Sequence, residues 1–197
     1  MFFICHIIKR KEVDNMNSLG SKLKLIKCSE KGEMYSNDIL EYKKEFIQNN
    51  DSMDGCSSLK RAKNIEEYLK TVKSYENKES LPDEKVVSTQ FLCIRETDNK
   101  IVGMIQVRHY FNEYLKKYAG NIGYSVRPSE RQKGYATWML QNVKPFCKSI
   151  GLDKILVCCN ESNEGSRKVI LNNHGVYEST VYCETENINL ERYWIKL

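Results

Sequence analysis

The spacing of apolar residues changes abruptly near Val86, and that change restricts the chain to folds that set helices against a sheet. Before it, Ile39, Tyr42 and Phe46, then Ile65, Tyr68, Leu69 and Val72, recur every three or four residues. This spacing predicts two amphipathic helices flanking the loop Asp51-Ser52-Met53-Asp54-Gly55. After Val86 the chain reads as strands. Val86 to Arg95 and Lys100 to Arg108 are rich in Val, Ile and Phe around the turn residues Thr97-Asp98-Asn99, an antiparallel hairpin. Phe111, Tyr114, Leu115 and Tyr118 make a short helix, and Asn121 to Val126 a strand stopped by Pro128. A helix over Ala136 to Ser149 should be kinked by Pro145 or have its last turn shortened, Lys154 to Cys159 is a strand, and Asn163 to His174 is a helix closed by Gly175. Val176 to Cys183 and Leu190 to Leu197 form a terminal hairpin, and Lys22 to Lys27 a first strand. The order describes an α/β fold with a single mixed, mostly antiparallel sheet flanked by helices.

No internal repeat and no Pro/Gly/Ser-rich linker divides the 197 residues, so residues 21–197 read as one domain. Residues 1–20 read as an extension outside the core. Their apolar run Met1 to Ile8 precedes the basic Lys9-Arg10-Lys11, the reverse of a secretory signal, and Met16 is an alternative start.

No apolar run approaches the roughly 20 residues of a membrane-spanning helix, so no membrane partner is expected. The net charge of +5 comes from 31 basic and 26 acidic residues that are interleaved, which argues against a nucleic-acid partner but favours small anions. Lys60-Arg61-Ala62-Lys63 and Lys116-Lys117 are read as solvated faces. Eight cysteines show neither C-x-x-C spacing nor a Cys/His cluster, so no metal is expected. Cys158 and Cys159 would face opposite sides of a strand as small apolar residues, in keeping with a reducing cytoplasmic location.

Chemistry concentrates in Ile122 to Thr137, where a strand runs through a short basic loop into a helix. The first turn of a helix presents unpaired N–H groups and the positive end of its dipole, and small residues such as Gly134 and Ala136 let a diphosphate approach the backbone. Arg131 and Lys133 add positive charge. The spacing is neither that of a Walker loop nor that of G-x-G-x-x-G.

Arg131-x-x-Gly134-x-Ala136 resembles the R/Q-x-x-G-x-G/A pyrophosphate loop of the Gcn5-related N-acetyltransferase (GNAT) superfamily. The order of elements, the strand Ile155-Leu156-Val157 and the helix start Asn163-Glu164-Gly165-Ser166 also match it. Arg108-His109, Gly123-Tyr124, Arg127-Pro128-Ser129, His174 to Tyr177 and Arg192 to Ile195 look like a bacterial group of acetyltransferases with unassigned substrates. The resemblance implies acetyl-CoA as co-substrate. It would lie against the backbone of Ser125 and Val126, with N–H groups of Gln132, Lys133, Gly134, Tyr135, Ala136 and Thr137 on its pyrophosphate, and with Asn163 and Ser166 at the pantetheine. Asn163 also suits a helix cap. Arg167 and Lys168 would lie near the adenosine phosphate or on the helix surface.

Acetyl transfer to an amine needs a neutral nucleophile, because an ammonium of pKa near 10.4 is almost wholly protonated at neutral pH. A thiol of pKa about 8.5 leaves largely unaided. Where many superfamily members carry a tyrosine acid, this chain has Ile170. Tyr124 and Tyr177 are the remaining phenolic candidates and His109 the candidate base, with Glu130 read as a loop brace and the Val126 N–H as an oxyanion donor. Trp138 and Trp194 are assigned to packing. The expected function is direct acetyl transfer to a primary amine of a small molecule or peptide. The alternative is a non-catalytic acyl-CoA-binding module, and a C-terminal edge strand could pair a homodimer.

Overall fold

The computed structural model describes residues 22–197. The expectations for the extension 1–20 and for Met16 lie outside the described residues. Seven strands form one sheet: β1 (Leu23–Lys27), β2 (Ser88–Arg95), β3 (Lys100–Arg108), β4 (Ile122–Val126), β5 (Lys154–Asn160), β6 (Val176–Cys183) and β7 (Ile188–Lys196), in the order β1-β2-β3-β4-β5-β7-β6. Every neighbouring pair is antiparallel except β4 and β5, which run parallel and share one register pair, Ile122 with Val157. Beyond that pair the two strands part.

One face is covered by α2 (Ser36–Gln48) and α3 (Ile65–Tyr75), which follow the short α1 (Cys28–Lys31). Ile39, Tyr42 and Phe46 of α2 and Tyr68, Leu69 and Val72 of α3 are buried against Leu92, Ile94 and Met104. Asn64 caps α3 by accepting the Glu67 N–H at 2.8 Å. The opposite face packs Phe91, Ile105, Val107, Ile155 and Val157 against α4 (Tyr135–Asn142), α5 (Lys144–Ser149) and α6 (Glu164–Asn172). Trp138 is buried in this second core. Cys158 and Cys159 face opposite sides of β5, as strand alternation requires, and both are free thiols.

Two expectations need correction. The helix expected from Ala136 to Ser149 is two helices that meet at Val143, because Pro145 lies at the start of α5, where its missing N–H costs no helical bond. Gly175 does not supply the left-handed end of α6, since His174 takes that conformation with φ of 66°. Gly175 is needed for space, because a Cβ there would lie 2.4 Å from Ile170 Cγ2.

Candidate acyl-CoA site

The parting of β4 from β5 follows from the main-chain pattern. Arg108 N–H donates to Asn121 O at 2.8 Å and Arg127 N–H to Val102 O at 3.0 Å, so the odd-numbered residues of β4 bond to β3. Alternation sends the main-chain groups of Ile122, Tyr124 and Val126 toward β5. Asn121 N–H and side chain bond β5 at Leu156 O (2.8 Å) and Leu156 N (2.9 Å), and Ile122 makes the last pairing, with Val157. Tyr124 and Val126 therefore offer unpaired backbone groups along a widening split. Ser125, expected beside Val126 at the cofactor, does not present its main chain to the split. Its main chain faces β3, and its hydroxyl lies on the α2 side, 3.1 Å from the Tyr42 hydroxyl and 3.0 Å from Cys56 Sγ. Burial pushes the Cys56 thiol up to about 12, so it is no nucleophile.

The loop after β4 is fastened before it reaches α4. Arg127 is buried, pairs with Asp38 and Glu45, and donates from Nε to Ile101 O at 2.9 Å. Ser129 N–H donates to Glu45 Oε1 at 2.6 Å. Glu130 is buried and accepts from Arg95 and Lys133, each at 2.7 Å. Burial raises its pKa, but those two cations outweigh burial and hold it below the ordinary carboxylate value. It braces the loop. Arg131 and Lys133 are themselves ion-paired, to Asp51 (3.0 Å) and to Glu130 (2.7 Å), so their charge is partly spent within the protein.

Gln132 and Gly134 both take left-handed φ, 64° and 84°, and turn the chain so that α4 opens at the split. The first bond of α4 runs from Trp138 N–H to Gly134 O at 3.0 Å. The N–H groups of Gly134, Tyr135, Ala136 and Thr137 consequently have no intrahelical partner and point out of the helix start. The side chains of Tyr135 and Thr137 are buried, so at these positions the backbone alone is offered to a ligand. Across the split, Asn163 caps α6 by accepting the Ser166 N–H at 2.9 Å. The Tyr124 hydroxyl reaches Ser166 Oγ at 2.8 Å. Burial raises the Tyr124 pKa well above the tyrosine range.

The other catalytic candidates lie elsewhere. His109 sits past the end of β3, four residues beyond Ile105, the partner of Tyr124, which places it about 13 Å along the strand. Its Nε2 is 3.0 Å from Thr89 Oγ1, and its ring packs edge-on to Phe146 at 5.9 Å. It borders a cleft of about 650 Å³, with Phe111 and Trp194, at the end of the sheet away from Gly134. Tyr177 stands on the outer strand β6, three strands from β4 in the register Tyr177, Tyr193, Val157, Ile122, roughly 14 Å away. Its hydroxyl meets Thr180 Oγ1 at 2.9 Å. Ile170, in place of the usual tyrosine, is fully buried. Arg167 is occupied by Glu191 at 2.7 Å.

Sequence reasoning missed the packing of the loop between α2 and α3 onto β4. Gln90 Nε2 donates to Gly55 O at 2.8 Å, and a Cβ on Gly55 would lie 2.1 Å from Gly123 O. A glycine inside a strand next to a glycine in a loop is the signal that could have revealed it.

The sequence matches the model of the acetyltransferase (GNAT) domain over residues 35–175. The chain belongs to the GNAT acetyltransferases. No curated protein matches it in sequence. Among solved structures it resembles the ribosomal L7/L12 α-N-protein acetyltransferase RimL in complex with coenzyme A, at 16% identity and a TM-score of 0.62, covering 91% of this chain and 96% of that one. Spermidine N-acetyltransferase from Vibrio cholerae aligns at 13% identity and TM-score 0.59 over 89% and 94% of the two chains. Ribosomal-protein-S5-alanine acetyltransferase from Vibrio fischeri aligns at 18% and 0.59 over 88% and 91%. These likenesses establish the fold, and the family match establishes acetyl-CoA-dependent N-acetyl transfer.

Proposed function

We propose that acetyl-CoA lies in the split between β4 and β5 and that its acetyl group passes directly to a primary amine arriving from the α2 side of the sheet. The observation that carries this is the row of unpartnered N–H groups from Gly134 to Thr137 beside the unpaired edge of β4. That donor set suits a diphosphate followed by an extended amide-bearing arm. Gln132, Lys133, Gly134, Tyr135, Ala136 and Thr137 would hold the phosphates, Tyr124 and Val126 the arm, and Asn163 and Ser166 the far wall. Acetyl-CoA supplies the activated acetyl thioester.

The chain's own part is positional and electrostatic. Val126 N–H offers a fixed donor to charge developing on an acyl oxygen. Tyr124, joined to Ser166, supplies a proton donor on the leaving side, in place of the phenol absent at Ile170. The thiol needs little help, so a modest donor suffices. With His109 remote from Tyr124, the amine proton passes to water. Residues 21–197 act as one catalytic domain. The free cysteines support a reducing, cytoplasmic setting in a bacterial cell. The outer strand β6, with Val176, Tyr177 and Tyr182 exposed, supports pairing into a homodimer.

The test is calorimetry with acetyl-CoA, followed by thiol release with a panel of amines and peptides. Binding with amine-dependent release supports the proposal. Binding without release favours the non-catalytic module, and no heat with acetyl-CoA removes both.

A further inference from the structure

Among the described residues, Arg108 is the arginine drawn out of solvent without a carboxylate partner. Arg95, Arg127, Arg131, Arg167 and Arg192 each form an ion pair with a carboxylate, and Arg61 is exposed to solvent. Arg108 is partly buried at the end of β3 and has no carboxylate within ion-pair distance among the described residues. Its Nη1 donates to Ala119 O and Gly120 O, each at 3.2 Å, which fixes the guanidinium by one edge. Nη2 lies 3.2 Å from the position a Cβ would take on Gly123, so the free edge rests on β4 where that strand has no side chain.

A guanidinium drawn out of water without a counter-charge is costly, and the cost is recovered when an anion joins it. Burial depresses its pKa, and Cys158, Asp54 and Tyr114 are the groups whose charge acts on it, yet none hydrogen-bonds to it. Asp54 is exposed and engaged by Ser52 at 2.8 Å. The diphosphate is not the missing anion. Arg108 lies beside the first residues of β4, whereas the phosphate loop follows the last. Strand alternation puts Arg108, Gly123 and Cys158 on one face, the face that α2 and the Gly55 loop border and from which the amine is proposed to enter. A planar fork with one edge pinned and the other free matches a carboxylate in bidentate geometry.

We infer that Arg108 binds a carboxylate of the acceptor, so that the acceptor is an amine that also carries a carboxylate, as an amino acid does, rather than a polyamine or a neutral amino sugar. Gly123, having no side chain, lets Arg108 Nη2 and the Gly55 backbone pack directly on β4, at 3.2 Å and 3.0 Å from the place a Cβ would take. A polyamine would bring further positive charge to a cation that already lacks a partner.

The inference rests on the acetyl-CoA reading above, and the test separates the two. Protein saturated with coenzyme A is titrated with twenty N-acetyl amino acids and with their carboxamides, and initial rates are measured for the parent amino acids, their amides and spermidine. The expected result is that at least one carboxylate ligand binds about tenfold or more tightly than its amide. Its parent amino acid is then the better substrate, and Arg108→Gln removes the preference by raising KM for the acid while leaving the amide nearly unchanged. Arg108→Lys, which keeps a donor toward the Ala119 and Gly120 carbonyls, guards against misfolding and should restore part of the preference. Equal binding of acids and amides, no binding of either, preferred turnover of spermidine, or equal losses on both substrates in Arg108→Gln would overturn it. Absence of coenzyme A binding by the wild-type protein would instead remove the acetyl-CoA reading, and Arg108 with it.

Discussion

The Tyr124 hydroxyl and Ser166 Oγ stand 2.8 Å apart and join β4 to the start of α6 across a sheet that is otherwise open at that level. The contact both limits how far the split can spread and sets a proton donor at its wall. Tyr124→Phe should lower kcat by only about tenfold, less than the roughly 100-fold or more that a positioned acid usually contributes, because the thiol is a good leaving group. Affinity for coenzyme A should change little. Burial holds the Tyr124 phenol protonated across roughly pH 6 to 10, so the variant's pH–rate profile should keep its shape. Steady-state kinetics with calorimetry on the same sample checks this, and unchanged kcat would reduce Tyr124 to a wall residue.

Gly134 sets the direction of the free N–H groups at the start of α4 through its backbone conformation, and the proposed cradle depends on it. At φ of 84° an alanine is strained by about 1–2 kcal/mol, and relief of that strain would rotate the N–H groups of the first turn. Gly134→Ala is expected to weaken coenzyme A binding about tenfold, since each 1.4 kcal/mol is a factor of ten. The melting temperature should fall by only a few degrees. Coenzyme A bound as tightly as in the wild type would show that the cradle lies elsewhere.

The succession of strands and helices was legible in the sequence because each strand carries its own apolar run bounded by turn residues, as Thr97-Asp98-Asn99 bounds β2 and β3. The strand–loop–helix turn was legible because its signals are local, a strand, a glycine and a helix start within sixteen residues, Ile122 to Thr137. What depends on strand alternation across neighbours was not. Ser125 and Val126 are adjacent, yet one hydroxyl is spent on Tyr42 and Cys56 while the other residue's backbone opens to the split. His109 and Tyr177 drew attention by residue type, but their distance from Tyr124 is set by register and strand order, which no single segment encodes. The ion pairs of Arg127 with Asp38 and Glu45 join positions more than eighty residues apart, so the solitude of Arg108 emerges only once the other partners are known.

Gly55 should govern the acceptor side without touching the cofactor. Its φ of 65° and the 2.1 Å approach of a Cβ to Gly123 O leave no room for a side chain. Gly55→Ala must lift the loop from β4, at about 1–3 kcal/mol for overpacking and about 1 kcal/mol for the left-handed backbone. The variant should bind coenzyme A normally and show a raised KM for the acceptor. A parallel loss of both affinities would mean that the loop supports the whole split and not the acceptor face alone.

His109 provides a pH signature that belongs to stability and not to rate. Burial, assisted by the charge of Lys27, lowers its pKa below 6.5 in the folded protein, whereas the unfolded chain titrates near 6.5. The unfolded state therefore takes up a proton first as pH falls. The stability tied to neutral His109 is complete above about pH 6.5 and is lost as pH drops through the window down to the folded pKa. Denaturant unfolding at about pH 7.5 and at about pH 5 should show a smaller acid loss in His109→Gln than in the wild type. The pH–rate profiles of the two should coincide, because the imidazole lies about 13 Å along the sheet from Tyr124. If the variant instead loses the ascending limb of the rate profile, His109 reaches the amine after all and the proton does not go to water.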